Sequence, residues 1–486
     1  MRLSELLREV EFEGSIKNDF DIKFVTDDSR LVRPGALFVC IRHRSFDGHT
    51  AAAEALASGA AAVVTQERLG LENELNVADS RAAYARLCAA LCGHPERKLR
   101  MIGVTGTNGK TTVTTLIRNI LSDSGIKTLL MGTVCNRLGE ESLPSGLTTP
   151  KPPELYSLLS RAVLSGCEAC VAEASSQALA QGRLEGIAFD AAVFTNITRD
   201  HLDYHGTFEN YLAAKKKLFE HSEVSAVNLD DPRADEIIAA SSGKTVTFST
   251  VLDCADYTAK NISLLPEGVS FELVSKGRIE HINFASPGLF SVSNAMAAAV
   301  CAINLGVDPR SAAQSLARSK GVCGRLERVE CGTPYSVIID YAHTPDGLEQ
   351  VLRALRPSCR GKLIVLFGCG GDRDKTKRPL MGAAACKYAD TVIVTSDNPR
   401  SEEPMRIIGD ILKGTDKKRR GLFIEEDRRR ATALALSLAK PGDTVLLAGK
   451  GHEKYQLICG EKLPLDERET VREILGLPHD TGRKKP

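Results

Sequence analysis

The chain has 486 residues, with 63 Lys and Arg against 62 Asp and Glu. At roughly 150 residues per domain this length predicts about three domains, and the balanced charge is not that of a nucleic-acid-binding polycation. Apolar residues make up 43% of the chain and charged residues 26%. Since no run approaches about 18 uncharged apolar residues, we expect a globular protein without a membrane span. The first twenty residues carry acids and lack an apolar segment, so we expect no secretory signal and a cytosolic location.

The fourteen cysteines are too sparse for a disulfide scaffold and lie inside apolar runs. This pattern predicts buried free thiols. Cys167 and Cys170 form a CxxC pair without a second such pair, so a structural metal site is disfavoured.

The first 97 residues predict a small α/β domain. Apolar runs at 24–26, 36–40 and 60–65 predict strands, and 51–58 predicts a helix. A basic, polar stretch at 93–100 then breaks the pattern, which places a domain boundary there.

The rest of the chain predicts two further α/β domains, at 98–328 and 329–486. In the central domain, helical patterns alternate with strands as in βαβ units on a parallel sheet. Its strands are expected at 101–105, 168–173 and 190–195, and its helices at 110–122 and 207–221. In the last domain, each strand precedes a turn and a helical stretch, which is typical of a Rossmann-like layer. Those strands are expected at 335–343, 362–368, 390–396 and 443–449.

The sequence GTNGKTT at 106–112 has the context of a phosphate-binding loop, between a β-branched strand and a helix. Gly106 and Gly109 let backbone N–H groups approach phosphate oxygens, Lys110 adds a positive charge, and Thr111 offers a hydroxyl to Mg²⁺. The coincidence of these features disfavours an ordinary glycine-rich turn. The loop is a variant of the strict pattern and predicts ATP or GTP with Mg²⁺.

Polar residues follow the next two predicted strands of the central domain. Glu173 and His201 lie at strand ends, where side chains of an open α/β sheet point into the ligand crevice. Glu173 is suited to bind Mg²⁺ through a carboxylate oxygen, and His201 through a neutral nitrogen or a water. For His205 we favour a structural role.

A lysine falls on the apolar face of the helix predicted at 207–221. Lys215 is on that face, while Lys216 and Lys217 fall beside it. The face is marked by Phe208, Tyr211, Leu212, Leu218 and Phe219. A buried neutral amine can react with carbon dioxide to give a carbamate that ligates Mg²⁺, whereas the alternative is a lysine that snorkels past the apolar face. The pattern alone leaves both interpretations open.

With these residues identified, the chain resembles the Mur ligases of peptidoglycan assembly over essentially its full length. The resemblance is carried by ordered motifs, namely DDSRLVRPGALF at 27–38, FDGH at 46–49, GVTGTNGKTT at 103–112, LTTP at 147–150, EASSQALAQGR at 173–183, FTNITRDHLDYHG at 194–206, YLAAKKKLF at 211–219, SPGLFSVSNAMAA at 286–298, GRLE at 324–327, DYAHTPD at 340–346, FGCGGDRDKTKRPLMG at 367–382, SDNPRSEEP at 396–404 and AGKGHE at 448–453.

The resemblance implies a site residue for each part of the reaction. The catalytic residues would be Lys110, Glu173, His201 and Lys215. The ATP contacts would be Gly106, Thr107, Asn108, Gly109, Lys110, Thr111, Thr112, Asn294, Arg325, Asp340 and His343. Two Mg²⁺ ions would be bound by Thr111, Glu173, His201 and the carbamate of Lys215, which corresponds to the lysine that is carbamylated in the family.

The resemblance also implies two organic substrates besides ATP. The nucleotide-sugar peptide UDP-N-acetylmuramoyl-L-alanyl-D-glutamate would contact Ser29, Arg44, Ser45, Phe46, Thr148, Thr149, Ser175, Gln181 and Arg183. The acceptor meso-diaminopimelate would contact Arg373, Asp397, Asn398, Pro399, Arg400, Gly449 and Glu453. Gln177 and Leu147 depart from the family pattern, which puts fine contacts to the muramoyl peptide in doubt.

The implied activity is ATP-dependent amide formation through an acyl phosphate, by a monomer that takes part in cell-wall synthesis. The alternatives are a sister ligase that adds L-Lys or acts at a neighbouring step, and a folylpolyglutamate synthetase-like ligase. Arg400 favours diaminopimelate because it can bind the second carboxylate, which Lys lacks. A regulatory nucleotide-switch protein would not need Lys215 on an apolar face, and a dinucleotide oxidoreductase is disfavoured because Arg373 replaces the third glycine after GCGG.

Overall fold

The computed structural model describes residues 1–43, 46–265, 268–416 and 419–478, and its strands form three large sheets in chain order. All fourteen cysteines are free thiols, and Cys167 and Cys170 are both buried. The prediction of buried thiols is wrong for Cys254, Cys323 and Cys459, which are exposed because they lie in connections between helices and strands. Among the described residues, no helix is long and apolar enough to cross a membrane.

The first sheet has five strands in the order β1–β5–β4–β3–β2, and only β1 is antiparallel to its neighbour. Strands β3 and β4 are buried along their whole length, as continuous apolar runs covered on both faces are expected to be. The elements are α1 (Leu3–Leu6), β1 (Glu13–Gly14), β2 (Phe24–Thr26), β3 (Ala36–Val39), α2 (Ala52–Ala57), β4 (Ala62–Thr65), β5 (Glu74–Asn76) and α3 (Ser80–Leu91).

The second sheet has eleven strands in the order β16–β15–β14–β13–β12–β11–β6–β10–β7–β8–β9. Its elements are β6 (Arg100–Thr105), α4 (Lys110–Asp123), β7 (Thr128–Met131), β8 (Asn136–Leu138), β9 (Glu141–Leu143), α5 (Pro152–Leu164), β10 (Ala169–Glu173), α6 (Ser176–Ala180), β11 (Phe189–Phe194), α7 (Leu202–His205), α8 (Phe208–Lys216), β12 (Ser222–Asn228), α9 (Ala234–Ala240), β13 (Lys244–Ser249), β14 (Tyr257–Leu265), β15 (Gly268–Ser275), β16 (Arg278–Phe284), α10 (Leu289–Asn304) and α11 (Pro309–Arg318).

The middle of this second sheet, from β14 to β7, is parallel as the sequence predicts. Antiparallel strands extend both edges, which the prediction of a parallel sheet did not include. The helix predicted at 207–221 ends at Lys216. There the backbone N–H groups of Leu218 and Phe219 bond to carbonyls three residues back, so the chain tightens into a turn while both side chains stay buried.

The third sheet has six strands in the order β17–β18–β22–β19–β20–β21, and only β17 is antiparallel. Its elements, with a separate hairpin β23–β24, are β17 (Glu327–Arg328), β18 (Ser336–Asp340), α12 (Pro345–Leu355), β19 (Leu363–Phe367), α13 (Lys377–Tyr388), β20 (Thr391–Val394), α14 (Pro404–Leu412), β21 (Leu422–Ile424), α15 (Arg428–Leu438), β22 (Thr444–Ala448), β23 (Tyr455–Ile458), β24 (Glu461–Pro464) and α16 (Glu467–Ile474). The domain limits at 97 and 328 stay predictions, and β17 lies just before the second of them.

Each large sheet with its helices forms one unit, and these are called the first, central and third unit in chain order. The hydrophobic cores show how the three units are joined. Alternate residues of β6 face opposite sides of the central sheet, with Met101 in one core and Ile102 in the other. The core that contains Met101 continues into the first unit, whose helix α3 packs on α5 of the central unit, and Tyr84 and Tyr156 both belong to this core. The third unit has two cores of its own, one on each face of its sheet.

A buried ion pair joins α15 to α16 in the third unit. It gives a prediction for the free energy of unfolding. Arg428 and Glu467 are each 1% exposed and lie 2.8 Å apart. Arg428→Ala should lower the free energy of unfolding by about 3–5 kcal/mol because it leaves a buried carboxylate unpaired. The next residue provides the control, since Arg429 pairs with Glu473 at the surface and Arg429→Ala should cost less than about 1 kcal/mol. Urea unfolding followed by circular dichroism measures both, and equal losses would contradict the prediction.

Candidate active site

The carboxyl ends of the parallel strands β6, β10 and β11 meet at one edge of the central sheet, where an α/β sheet forms its ligand crevice. A cavity of about 240 Å³ lies there, facing the segment after β18 in the third unit. The predicted residues that line it are Thr107, Asn108, Gly109, Lys110, Thr111, Thr148, Thr149, Glu173, Ser175, Arg183, His201, Lys215, Arg325 and His343.

The loop between β6 and α4 needs both of its glycines. Gly106 and Gly109 have positive φ angles of 154° and 87°. A Cβ atom at Gly106 would overlap the Thr195 hydroxyl, and one at Gly109 would overlap the Asn294 side-chain oxygen. The loop backbone is therefore pressed against its neighbours in the conformation that a phosphate cradle requires.

Lys110 begins α4 and turns its side chain back over the loop. Its Nζ donates to the carbonyl oxygens of Gly106, at 2.8 Å, and Thr107, at 2.9 Å. Burial lowers the pKa of Lys110, an effect that the negative charges of Glu173 and Asp200 oppose.

Glu173 ends β10 and is held by three hydrogen bonds. Its Oε1 accepts from the Thr133 backbone N–H at 2.8 Å, and its Oε2 accepts from the hydroxyls of Thr133, at 2.9 Å, and Thr111, at 3.1 Å. The sequence reasoning missed Thr133, although it follows strand β7 as Glu173 ends β10. Glu173 and Thr111 therefore place two hard oxygen donors side by side.

His201 lies in the loop after β11, in the left-handed conformation with φ 52°. Its Nε2 is 3.4 Å from the carboxylate of Asp200, and both residues line the cavity. Asp200 was not predicted from the sequence, and its position next to His201 was the available signal. His205 is buried, and its Nε2 lies 3.0 Å from the Ser176 hydroxyl, as in a structural histidine.

Lys215 points inward from α8, as its position on the apolar face indicates. Its side chain is 1% exposed, and its Nζ donates to the Gly106 carbonyl oxygen at 2.8 Å. The amine lies 4.6 Å from the ring centre of Tyr211, whose hydroxyl is 3.0 Å from that of Thr107. Burial, and then the positive charge of Lys110, hold the pKa of Lys215 well below its usual value. Tyr211 was noted in the sequence only as part of the apolar face.

A second cavity of about 360 Å³ adjoins the first and shares several lining residues with it. Its predicted residues are Asn108, Gly109, Thr111, Thr112, Asn294, Arg325, Asp340 and His343. Asp340 is buried and accepts from the backbone N–H groups of Leu326 and Ala342, each at 2.7 Å. The Arg325 guanidinium donates to the Thr111 hydroxyl at 3.2 Å and stacks on the Tyr341 ring at 4.6 Å. Arg325 thus bridges the phosphate loop and the third unit.

The residues predicted for the muramoyl peptide fall into two groups. Thr149, Ser175 and Arg183 form one connected edge of the first cavity, where Arg183 donates to the Thr149 carbonyl at 2.7 Å. Gln181 lies beside this edge and accepts from Arg183 at 2.6 Å. The departures Leu147 and Gln177 also line this cavity.

The other group belongs to the first unit. Ser29 begins a short 3₁₀ helix, and Phe46 is 46% exposed. Arg44 and Ser45 lie outside the described residues. Close to Ser29 in the chain, Asp27 forms an ion pair of 3.0 Å with Lys151 of the central unit.

The residues predicted for the acceptor cluster at the carboxyl ends of β19, β20 and β22 in the third unit. Asp397, Asn398 and Pro399 are buried, Gly449 packs against Asp397, and Arg373 is exposed. Glu453 accepts from the Asn398 amide at 2.9 Å.

Arg400 has φ 54° and donates to the Gly371 carbonyl at 2.6 Å. Within the part of the chain that the structure describes, none of the residues predicted for the acceptor lines either cavity. Within 1–43, 46–265, 268–416 and 419–478, no group of three or more His, Cys, Asp or Glu side chains is arranged to bind a metal ion.

Family models match three consecutive parts of the chain. The Mur ligase family catalytic domain matches residues 21–89, the Mur ligase middle domain 104–302, and the Mur ligase glutamate ligase domain 324–451.

Curated relatives and solved structures match over nearly the whole length. UDP-N-acetylmuramoyl-L-alanyl-D-glutamate–2,6-diaminopimelate ligase of Syntrophomonas wolfei is 43% identical, covering 98% of this chain and 99% of that protein. The ligase of the same name from Clostridium tetani is 41% identical over the same shares. A solved structure of a ligase of this name has a TM-score of 0.71 at 35% identity and covers 98% of this chain and 99% of its own. MurF ligase from Thermotoga maritima, solved in complex with ADP, shares the fold with a TM-score of 0.61 at 20% identity, covering 94% of this chain and 98% of its own.

His343, which lines both cavities, gives a prediction for how the free energy of unfolding depends on pH. Burial, and then the charge of Lys377, lower the pKa of His343 from 6.5 to about 4. Folded His343 therefore binds a proton less readily than the unfolded chain, so the free energy of unfolding falls as the pH drops from 6.5 towards 4. His343→Gln should remove about 1–2 kcal/mol of that loss at pH 5. Urea unfolding at pH 7 and pH 5 tests this, with His281→Gln as control because His281 is 76% exposed. An unchanged pH dependence in His343→Gln would contradict it.

Proposed function

This chain belongs to the Mur ligase family, and we propose that it joins meso-diaminopimelate to UDP-N-acetylmuramoyl-L-alanyl-D-glutamate, with ATP, in peptidoglycan precursor synthesis. The observation that carries this proposal is identity of 43% over 98% of the chain to a ligase of that name. The cavities support it, since they join a phosphate loop to acid and lysine side chains in one cleft.

The reaction requires that a carboxylate be activated before an amine can attack it. The γ-carboxylate of the D-Glu residue attacks the γ-phosphorus of ATP, the bond to the β–γ bridging oxygen breaks, and ADP leaves. The amine of the diamino acid then attacks the acyl carbon, and a tetrahedral intermediate collapses with loss of phosphate and a proton. Lys110, which lies over the phosphate loop, would offset negative charge on the transferred group. The remaining contribution of the chain is to orient the reactants and exclude water.

The donor set fits Mg²⁺. The Glu173 carboxylate and the Thr111 hydroxyl are 3.1 Å apart, and both are hard oxygen ligands of the kind this ion prefers. We propose that Thr111, Glu173, His201 and a carbamate on Lys215 bind it with the nucleotide. Bound Mg²⁺ would supply neutralisation of phosphate charge.

The surroundings of Lys215 support a carbamate at this position. The amine shares the Gly106 carbonyl with Lys110, so two ammonium groups would be crowded in a buried site. A neutral amine avoids this repulsion, and its lone pair can attack carbon dioxide with release of one proton. The product carries a negative charge next to Lys110, which makes the pair favourable.

The organic substrates would lie on either side of this centre. We propose that the first unit, through Ser29 and Phe46, binds the uridine nucleotide and that Thr148, Thr149, Ser175, Gln181 and Arg183 guide the muramoyl peptide. The acceptor would bind in the third unit, at Arg373, Asp397, Asn398, Pro399, Arg400, Gly449 and Glu453. We further propose that the enzyme acts as a cytoplasmic monomer.

Phosphate release tests the function directly. The purified protein is incubated with ATP, Mg²⁺ and UDP-N-acetylmuramoyl-L-Ala-D-Glu while diaminopimelate, L-Lys and L-ornithine are supplied in turn. We expect phosphate only when both small substrates are present, and fastest with diaminopimelate. Lys110→Ala serves as the inactive control. Preference for L-Lys would identify the sister ligase, and phosphate release without an acceptor would contradict a ligase.

The carbamate predicts rescue by small anions. Lys215→Ala should be nearly inactive, and acetate or formate should restore part of its activity by replacing the missing carboxylate near Mg²⁺. Lys216→Ala and Lys217→Ala are matched controls because Lys216 is only half-buried and Lys217 is exposed. Both should stay close to wild type in steady-state assays. Three variants with the same activity, or no rescue, would rule out the carbamate.

Acceptor choice is predicted to depend on Arg400. Losing a charged hydrogen bond should lower kcat/KM for diaminopimelate by roughly 10- to 150-fold in Arg400→Ala, with little change in the constants for ATP and the muramoyl dipeptide. The ratio of kcat/KM for diaminopimelate to kcat/KM for Lys should therefore fall in Arg400→Ala. Arg400→Lys should not restore it, because an ammonium group cannot form the planar double contact. An unchanged preference ratio in Arg400→Ala would show that another residue reads the second carboxylate.

A further inference from the structure

We propose that Lys450 is a positioning residue for the acceptor amino acid and acts by holding the Glu453 carboxylate in place, in a hydrogen-bonded ring that Asn398 completes. The inference rests on the proposed function, because the acceptor is the diamino acid named there. It adds a residue that lies behind the predicted acceptor contacts.

Lys450 follows strand β22, and its side chain is fully buried at 0% exposure. Its Nζ donates to the Asn398 side-chain oxygen at 2.9 Å and to Glu453 Oε2 at 2.6 Å. The Asn398 amide nitrogen donates to the same Glu453 oxygen at 2.9 Å. The three side chains therefore form a closed ring of hydrogen bonds.

This ring fixes which atoms remain for a ligand. The Asn398 oxygen also accepts from the backbone N–H of Leu457 at 2.9 Å, so the amide cannot turn over without losing three hydrogen bonds. Within the described residues, the hydrogen bonds to the Glu453 carboxylate end on Oε2. Oε1 is thus the oxygen available to an ammonium group of the acceptor, which has two such groups.

Lys450 cannot contact the acceptor itself, because it is covered on all sides. Its ion pair with Glu453, which is 15% exposed, compensates the cost of burying the ammonium group. Further charges face the same region. Glu467 is paired with Arg428, and Asp397 packs on Gly449. His452 is kept neutral because burial lowers its pKa to about 4. Without Lys450, Glu453 would keep only its hydrogen bond from Asn398 and would lose its charged partner.

The test compares Lys450→Met with Lys454→Met. Lys454 is 74% exposed and lies 3.5 Å from Asp466, so its loss controls for removing a positive charge from this part of the chain. In Lys450→Met we expect the KM for diaminopimelate to rise about 10- to 100-fold, with the KM for ATP and for the muramoyl dipeptide within about twofold of wild type. Lys454→Met should match wild type in all three constants.

Glu453→Gln and the double variant Lys450→Met/Glu453→Gln complete the experiment. Because Lys450 acts through Glu453, the double variant should have the same KM for diaminopimelate as Glu453→Gln alone. Effects that multiply, or an unchanged KM in Lys450→Met, would overturn the proposal. If Lys450→Met does not fold, the double variant, which removes both charges together, decides by the same comparison. A wild-type enzyme that does not use diaminopimelate would instead overturn the proposed function.

Discussion

A single carbonyl oxygen, that of Gly106, accepts hydrogen bonds from two lysines that arrive from different helices. Lys110 comes from α4 and Lys215 from α8, each at 2.8 Å. Two buried amines at one acceptor cannot both carry a positive charge cheaply, because they repel each other where water does not screen them. This constraint motivates the proposed chemistry, in which Lys110 would stay cationic beside the phosphate loop while a neutral Lys215 would react with carbon dioxide to give the proposed carbamate.

The parallel strands place these groups. Because β6, β10 and β11 run in one direction, the phosphate loop, Glu173 and the segment of His201 all emerge at the same edge of the sheet. The third unit repeats this arrangement, so its strand ends hold the residues proposed for the acceptor. Arg325 connects the two edges, since it binds the Thr111 hydroxyl and stacks on Tyr341. The proposed ligase chemistry therefore depends on two sheets whose carboxyl ends serve one cleft.

Local sequence patterns predicted the features that depend on neighbours in the chain. The strand, glycines and lysine of the phosphate loop lie within a few residues, and the inward direction of Lys215 follows from helical spacing alone. Thr133 and Lys450 were missed for the opposite reason. Thr133 matters only because β7 pairs beside β10, and Lys450 only because Asn398 and Glu453 fold against it.

The antiparallel strands β15 and β16 at the sheet edge show the same limit of local reasoning. Parts of both strands alternate buried residues with less buried ones. Such alternation does not predict which sheet a strand will join, because its neighbouring strands come from distant parts of the sequence.

The unequal sharing of hydrophobic cores has a mechanical consequence. The first and central units share one core, which contains Tyr84 and Tyr156. The third unit has two cores of its own and meets the central unit at the two cavities, where Phe290 of α10 packs against one of those cores. Units that share a large hydrophobic core move together, whereas relative motion is the default expectation for units that do not. Of the three units, the third is therefore the one expected to move relative to the other two when the cavities between them open.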